Sequence, residues 1–322
     1  MMPNFDTGRV RVQLACAASK VSAVRVSSER PDVATVLRGR TADQAVQSIP
    51  LLFALCGQAQ ARAAALALAA ARGEECAPRL DPDVQREALR EHLWRCLLDL
   101  PPLLGGAALQ QEFASAVKWV AEGNRSELHA LLSSLRLAAL QQSLQQLEES
   151  HLIPSRLLPR LDARSSLTEW PRLSARFCRR PDWRGIPAGT GAVARRQQSD
   201  QNTAALFSAC WRARFDELME WATGDAQIGG VGTVSAMPVA HGIGRSLVET
   251  ARGLLMHEIV LDGEHIADYL IVAPTEWNFH PQGILADQLL GQDAGGRAAL
   301  QQHVARTVAA LDPCVPWELE WA

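Results

Sequence analysis

Two of the seven cysteines stand in settings that suit metal–thiolate chemistry. Cys56 opens the run Cys56-Gly-Gln-Ala-Gln60-Ala-Arg-Ala63, and Cys314 follows Asp312-Pro313 near the chain end, outside any apolar periodicity. A deprotonated thiol is a soft ligand for iron or nickel. Taken singly, Cys56 reads as a small buried apolar residue on an alanine-rich helix. There is no HExxH, CxxC or GxxxxGK[ST] pattern. The glycines of Gly229-Gly-Val-Gly232 and His241-Gly-Ile-Gly244 lack the strand–loop–helix order of a phosphate loop and read as turns. Residues 156–196 hold ten arginines against three acids, with Trp170, Phe177 and Trp183 among them. Such a segment can stack on nucleic acid; without a recognisable nucleic-acid module it reads as a solvated or protein-docking surface.

These residues need elements to position them. Val10–Leu14 and Val21–Val26 alternate and read as a hairpin or two edge strands. A helix is expected from Thr41 to about Gly73, with Pro50 as a kink or the true start. Asp81-Pro82-Asp83 is a helix opening: an N-cap acid, Pro at the first helical position and a second acid on the dipole. That helix runs through Leu89, Leu93 and Leu97 to Pro101-Pro102. Two more helices are expected over 107–121 and 126–150, then an irregular Arg-rich excursion over 156–200, then a helix from about Asn202 to Gly224. Leu254–Leu261, Asp262-Gly263 and Ile266–Val272 read as a β-hairpin, since Asp-Gly supplies the positive φ of such turns. Residues 283–291 and 297–311 look helical. The fold class is α+β, mainly helical, with a small N-terminal hairpin and a C-terminal β-hairpin.

Read together, the two ends acquire a different meaning. The front run resembles the motif R-x-C-G-x-C-x-x-x-H-x-x-A of [NiFe]-hydrogenase large subunits, and Asp312-Pro-Cys314 resembles their rear motif D-P-C-x-x-C-x-x-H. Between them, Leu37-Arg-Gly-Arg40 is similar to L-x-G-R. Glu249-Thr-Ala-Arg252-Gly253-Leu-Leu-Met-His257 is similar to E-A-P-R-G-x-L-x-H. Asp262-Gly263 and Val272-Ala-Pro274-Thr275-Glu-Trp277-Asn278-Phe-His-Pro281 complete the order. In the register that puts Cys56 at the second front cysteine, Gln60 takes the histidine position and Phe53 the first cysteine. The other register puts Ala59 and Ala63 at the remaining positions and matches less. At the rear, Trp317 replaces the second cysteine and Glu320 the histidine. The proton-handling glutamate of the family falls on Ala34.

The resemblance is closest to the shortened large-subunit relatives of the HupK/HoxV type, which serve hydrogenase maturation. It implies a single large-subunit-like domain over 1–322. It implies a scaffold, not an enzyme, that transiently holds an iron carrying two cyanides and one carbon monoxide, Fe(CN)2(CO), without nickel. Cys56 and Cys314 are the implied metal ligands; Arg252, Thr275 and Gln60 are the implied cofactor-binding residues. Two thiolates cannot make a four-thiolate nickel site, and Phe53 and Trp317 are expected to fill the nickel volume. An iron with two cyanides and two thiolates is doubly negative, and burying charge unpaired is costly; the fixed donor fork of Arg252 answers that need. The simpler reading pairs Arg252 with Glu249 or Asp268 and lets Thr275 end a strand. By the family pattern Cys56 bridges to iron while Cys314 is nickel-terminal, so one of them can instead serve docking or transfer. Implied partners are a hydrogenase large-subunit precursor and HypC/HypD-type maturation proteins. Two alternatives stay open: a divergent redox subunit and a metal-free interaction protein. Only Trp321 and Ala322 follow Glu320, so no cleavable extension is expected.

Composition agrees with a globular chain. Of 322 residues 48% are hydrophobic and 21% charged, enough for a core without staples. The net charge of −3 gives no global case for nucleic acid or an anionic membrane as partner. Seven cysteines without a CxxC pair, and no signal-peptide pattern, favour a reducing cytoplasm.

Overall fold

The computed structural model describes residues 8–30, 33–53, 55–146, 157–158, 170, 173–196 and 206–322. The chain runs β1 (Arg9–Ala17), β2 (Lys20–Glu29), α1 (Val33–Leu37), α2 (Ala42–Leu52), α3 (Gly57–Ala71), β3 (Cys76–Leu80) and α4 (Pro82–Trp94). A π-helical turn, Arg95–Asp99, leads into α5 (Leu100–Leu103), then α6 (Gln110–Glu122), α7 (Arg125–Leu132) and α8 (Leu135–Gln145). Then come α9 (Ala175–Arg179), α10 (Ala192–Arg195), α11 (Leu206–Thr223), β4 (Thr233–Ala240), β5 (Ile243–Thr250), β6 (Gly253–Asp262) and β7 (His265–Val272). The last elements are α12 (Pro274–Asn278), α13 (Ile284–Leu289), α14 (Arg297–Leu311) and β8 (Trp317–Trp321).

The N-terminal hairpin forms as its alternation dictates: Val10, Val12 and Leu14 turn inward and are fully buried. It is not isolated. Strand β8 pairs in parallel with β1, Val10 opposite Trp317 and Leu14 opposite Trp321, so β1 is central in the order β2-β1-β8. The expected C-terminal hairpin, β6–β7, exists but is the end of a five-stranded antiparallel sheet, β3-β4-β5-β6-β7. Strand β5 escapes the alternation test because it is covered on both faces. Val248, Leu255 and Ile259 pack under α3, while Leu247, Leu254 and Met256 pack with Leu158, Trp170, Leu173 and Phe177. A strand buried on both sides loses its period of two.

The expected long helix over 41–73 is two helices. Cys56 adopts φ −130°, ψ 41°, outside helical geometry, and the carboxylate of Glu87 on α4 accepts from the N–H groups of Gln58 (2.8 Å) and Ala59 (3.0 Å). Those are orphan donors of a new helix start. The expected helix over 126–150 also divides, at Ser134, whose hydroxyl accepts from Leu137 N; 147–150 lie outside the described residues. Asp81 caps α4 as expected, accepting from Asp83 N and Val84 N. The helix continues through the π turn and ends at Leu103, one residue past Pro101-Pro102; the Leu97 carbonyl, which Pro101 cannot serve, accepts from Leu109 N at 2.8 Å.

Where it is described, the Arg-rich segment is divided: Arg176, Arg179, Arg180 and Arg184 are exposed, as expected, whereas most of its aromatics turn inward. Trp170 and Phe177 are buried, and both pack edge-on against Trp277 with ring centroids 5.9 Å apart. Trp183 stacks on Trp170 at 4.6 Å. Trp170, Phe177 and Trp277 close one face of the sheet. Among the described residues no helix is long and apolar enough to cross a membrane.

Helix α3 lies so close to β5 that a Cβ on Gly244 would stand 2.0 Å from Ala71 N and 2.2 Å from Ala67 O. Backbone on that side cannot give way cheaply. Gly244→Ala is expected to cost about 1–3 kcal/mol of stability by overpacking, read as a lowered urea midpoint with the slope unchanged.

Candidate functional site

Helix α4 and its π turn set the frame of the site. Glu87, Glu91 and Arg95 recur every four residues and so share one helix face. Glu87 caps α3 and thereby places Cys56 just before its first turn. Glu91 accepts from Arg252 Nη2 at 2.9 Å. Arg95 Nε lies 2.9 Å from Asp312 Oδ1, and Asp312 stands two residues before Cys314. One helix thus registers the front thiol, the arginine and the rear thiol, which come from three distant parts of the chain.

Arg252 occupies the tight β5–β6 turn. Its N–H donates to Thr250 Oγ1 (3.2 Å), and its carbonyl accepts from Asn278 Nδ2 (3.3 Å). Gly253 follows with φ +124°, and a Cβ there would meet Thr190 Cγ2 at 2.3 Å, so the 190–191 loop can press against the turn only beside glycine. The Arg252 side chain is 5% exposed and pairs with Glu91 and, at 3.5 Å from Nε, Asp312. Its expected alternatives are engaged elsewhere: Glu249 binds Arg195 (2.8 Å) and Asp268 binds Arg38 (2.8 Å). Asp312 is buried, and the arginines Arg252 and Arg95 more than offset the effect of burial, holding its carboxyl below the usual range.

Thr275 does not end a strand. Pro274 starts α12 and Thr275 sits in its first turn, fully buried, with Oγ1 3.2 Å from Cys314 Sγ. The same oxygen accepts from Cys314 N at 3.3 Å. A residue not anticipated from the sequence completes this side. Arg30, at the end of β2, donates from Nη2 to Cys314 Sγ. Its Nε lies 3.2 Å from Glu276 Oε1, which also accepts from Ser28 Oγ at 3.0 Å. No spacing could have found Arg30, which is separated from Cys314 by 284 positions.

On the other side, Gln60 Nε2 donates toward Cys56 Sγ at 3.7 Å. Gln60 Oε1 lies 2.8 Å from His257 Nε2, and His257 Nδ1 lies 2.8 Å from the Tyr269 hydroxyl. Burial holds His257 neutral, at about 3. Gln60 Oε1 can only accept, so Nε2 carries the ring proton and Tyr269 donates to Nδ1. Gln60 is therefore fixed with its amide donor toward the sulfur. Burial, with the Cys314 sulfur nearby, pushes the Cys56 thiol up, against the smaller effects of Gln60 and Arg252. The two thiols are thus within electrostatic reach of each other, and both act on Arg252 and Arg30.

The replacements at the other family positions do not gather here. Phe53 packs with the cluster of Leu37, Ile49 and Tyr269, whereas Trp317 packs on the large core of β1, α4 and α11. They do not jointly fill one volume, contrary to expectation. Glu320 lies on β8 and accepts from Gln13 Nε2 at 2.6 Å. The side chain of Ala34 lies outside the described residues. A cavity of about 10 Å3, room for about one water, is bounded by Cys56, Ala59, Glu87, Glu91 and Arg252. Among the described residues no three His, Cys, Asp or Glu side chains cluster as a metal site would require. Two sulfurs, two arginines and a hydroxyl suit a metal that brings its own ligands.

Residues 178–316 match the family model of the nickel-dependent hydrogenases. The [NiFeSe]-hydrogenase from Desulfomicrobium baculatum, in its reduced, active form, superposes with a TM-score of 0.62 at 12% identity, covering 94% of this chain and 95% of that one. The fold is that of a hydrogenase large subunit. Similar relatives carry another description. The hydrogenase expression/formation protein HoxV of Cupriavidus necator is 31% identical over 92% of both chains, and HupK of Bradyrhizobium diazoefficiens is 32% identical over 91% of this chain and 90% of its own. The chain belongs to the HoxV/HupK family of hydrogenase expression/formation proteins.

Next to the site, His92, Arg195, Glu217 and Glu249 form a buried network. Arg195 Nε donates to Glu217 Oε1 (2.7 Å), Arg195 Nη1 to Glu249 Oε2 (2.8 Å), and His92 Nε2 lies 2.7 Å from Glu217 Oε2. Burial alone would raise the Glu217 carboxyl; Arg195 and His92 outweigh it and hold it at about 2. A carboxylate so depressed stabilises the fold above its ordinary value near 4.5, and that contribution is lost as pH falls toward 2. Glu217→Gln is expected to cost about 3–5 kcal/mol at neutral pH, with the gap to the parent protein closing below pH 4.5 in pH-dependent denaturation. Cys56 is expected to be among the last thiols alkylated by iodoacetamide at pH 7.5, after the exposed Cys16, as followed by peptide mass spectrometry; labelling of Cys56 ahead of Cys16 contradicts the raised thiol.

Proposed function

We propose that this chain acts in hydrogenase maturation as a scaffold that receives an Fe(CN)2(CO) fragment and passes it to the large-subunit precursor of a [NiFe]-hydrogenase, with HypC/HypD-type proteins as the source. The observation that carries this reading is the convergence of two thiols with Arg252, Thr275 and Gln60; Arg252, Thr275 and Cys314 lie in the stretch that matches the nickel-dependent hydrogenase model. Cys56 and Cys314 are the ligands. Each gives up a proton as the metal binds. Arg252 supplies charge and hydrogen bonds to cyanide nitrogens, and the Thr275 hydroxyl, now beside Cys314 Sγ, is placed to donate to the cargo instead. Gln60 donates to the Cys56 sulfur and steadies it once it is anionic. Two thiolates hold a low-spin iron that already carries three diatomic ligands and leave it transferable; four would be needed for nickel. In this reading the protein turns nothing over.

The second reading, a partner-binding protein without metal, is favoured by one observation. The cavity beside Cys56 admits a water but not an iron with diatomic ligands, so loading requires its walls to part. Infrared spectroscopy of the protein purified anaerobically with its maturation partners separates the two. Cyanide and carbonyl stretches are expected, lost in Cys56→Ala and shifted in Arg252→Lys. A stable complex with the precursor, iron-free and without such bands, supports the second reading. Nickel at one per chain with hydrogen-dependent dye reduction supports a divergent redox subunit.

A further inference from the structure

Arg252 is the arginine the family pattern singles out, and it is already engaged. Among the described residues it faces two carboxylates, Glu91 at 2.9 Å and Asp312 at 3.5 Å. Asp312 is shared with Arg95, but a doubly negative group needs more positive charge than Arg252 alone supplies. An iron with two cyanides and two thiolates brings a double negative charge into a site whose wall is mostly buried. Charge of that kind stays in a protein interior only if it is paired.

Arg30 is differently placed. It pairs with one carboxylate among the described residues, Glu276, whose Oε1 lies 3.2 Å from Nε; that Nε, like the Nε of Arg252, has no aligned acceptor. Its Nη2 is already directed at Cys314 Sγ. The side chain is 20% exposed, so it is held but not locked. Thr275 and Glu276, neighbours on α12, hold the sulfur and the guanidinium in one arrangement. Both sulfurs raise the affinity of Arg30 for its proton, as they do for Arg252.

We propose that Arg30 is a second anion anchor of the site: its guanidinium binds the Cys314 sulfur and a cyanide nitrogen of the bound iron, so that Arg30 and Arg252 together select a doubly negative iron–cyanide–thiolate group. No bond to Arg30 forms or breaks covalently; the two thiol protons leave to solvent as iron binds. The inference rests on the scaffold reading. It deepens that reading by adding to the arginine the sequence points to a second one that it does not.

The test is an anaerobic titration of the full-length metal-free protein with ferrous iron and two equivalents of potassium cyanide under carbon monoxide, read by infrared spectroscopy and bound iron. The parent protein, Arg30→Met, Arg30→Lys and the charge-balanced Arg30→Met/Glu276→Gln pair are compared, each checked for an unchanged circular dichroism spectrum. Losing one partner of a buried charge pair weakens binding on the order of 30-fold or more. The expected result is a loss of that size in Arg30→Met and in the double variant, partial retention in Arg30→Lys, and a shift of the cyanide bands larger than that of the carbonyl band. Titration curves and cyanide bands of the folded Arg30 variants that match the parent overturn the role of Arg30 and leave the scaffold reading standing. A parent protein that takes up no cyanide-bearing iron, here or when purified with its partners, overturns both.

Discussion

A guanidinium buried among carboxylates organises this molecule. Arg252 is almost wholly removed from water and lies between Glu91 and Asp312. Removing either partner leaves an uncompensated charge in the interior, which costs several kcal/mol, so the elements that supply them are bound to stay together. Those elements are the β5–β6 turn, α4 and the end of α14. Asp312 also closes α14 with a left-handed conformation, φ 53°, unusual for a residue with a Cβ. The chain turns there toward Cys314, and the two arginines on its carboxylate hold it in that turn.

The consequence for the thiols is an asymmetric pair. Cys56 meets a neutral amide, backed by a neutral histidine and a buried tyrosine. Cys314 meets a guanidinium and a hydroxyl. A catalytic site would need ligands that tolerate repeated redox change in a fixed geometry. In the proposed scaffold role the two thiols would offer unlike surroundings to the iron fragment, a neutral amide and a guanidinium.

The fold was legible where one physical signal acts alone. β1 and β2 alternate because one face is wet; α4 is announced by its cap; α13 and α14 carry plain helical spacing. It was illegible where tertiary contacts override local preference. The break between α2 and α3 depends on Glu87 reaching over from another helix. β5 hides because both its faces are covered, and it carries one half of a buried ion pair to β6, Arg245 Nε to Glu258 at 2.8 Å, that no apolar pattern would show. In the Arg-rich segment Arg176, Arg179, Arg180 and Arg184 are exposed, as arginine usually is; Arg195 is instead 2% exposed inside a network of acids from α11 and β5.

The amino-acid order by itself determined which side chains are available: two cysteines in place of four, an arginine and a threonine in the recognisable central motifs, and a glutamine in place of histidine. These are chemical identities, readable wherever they fall. Only the tertiary structure decided what each one faces. It gave Arg252 two carboxylates that the sequence did not suggest, separated Phe53 from Trp317, and brought Arg30 across the molecule to Cys314. Electrostatic partnership falls off with distance in space and is blind to distance along the chain. Spacing can therefore name the ligands, but the charge balance around them is set by packing.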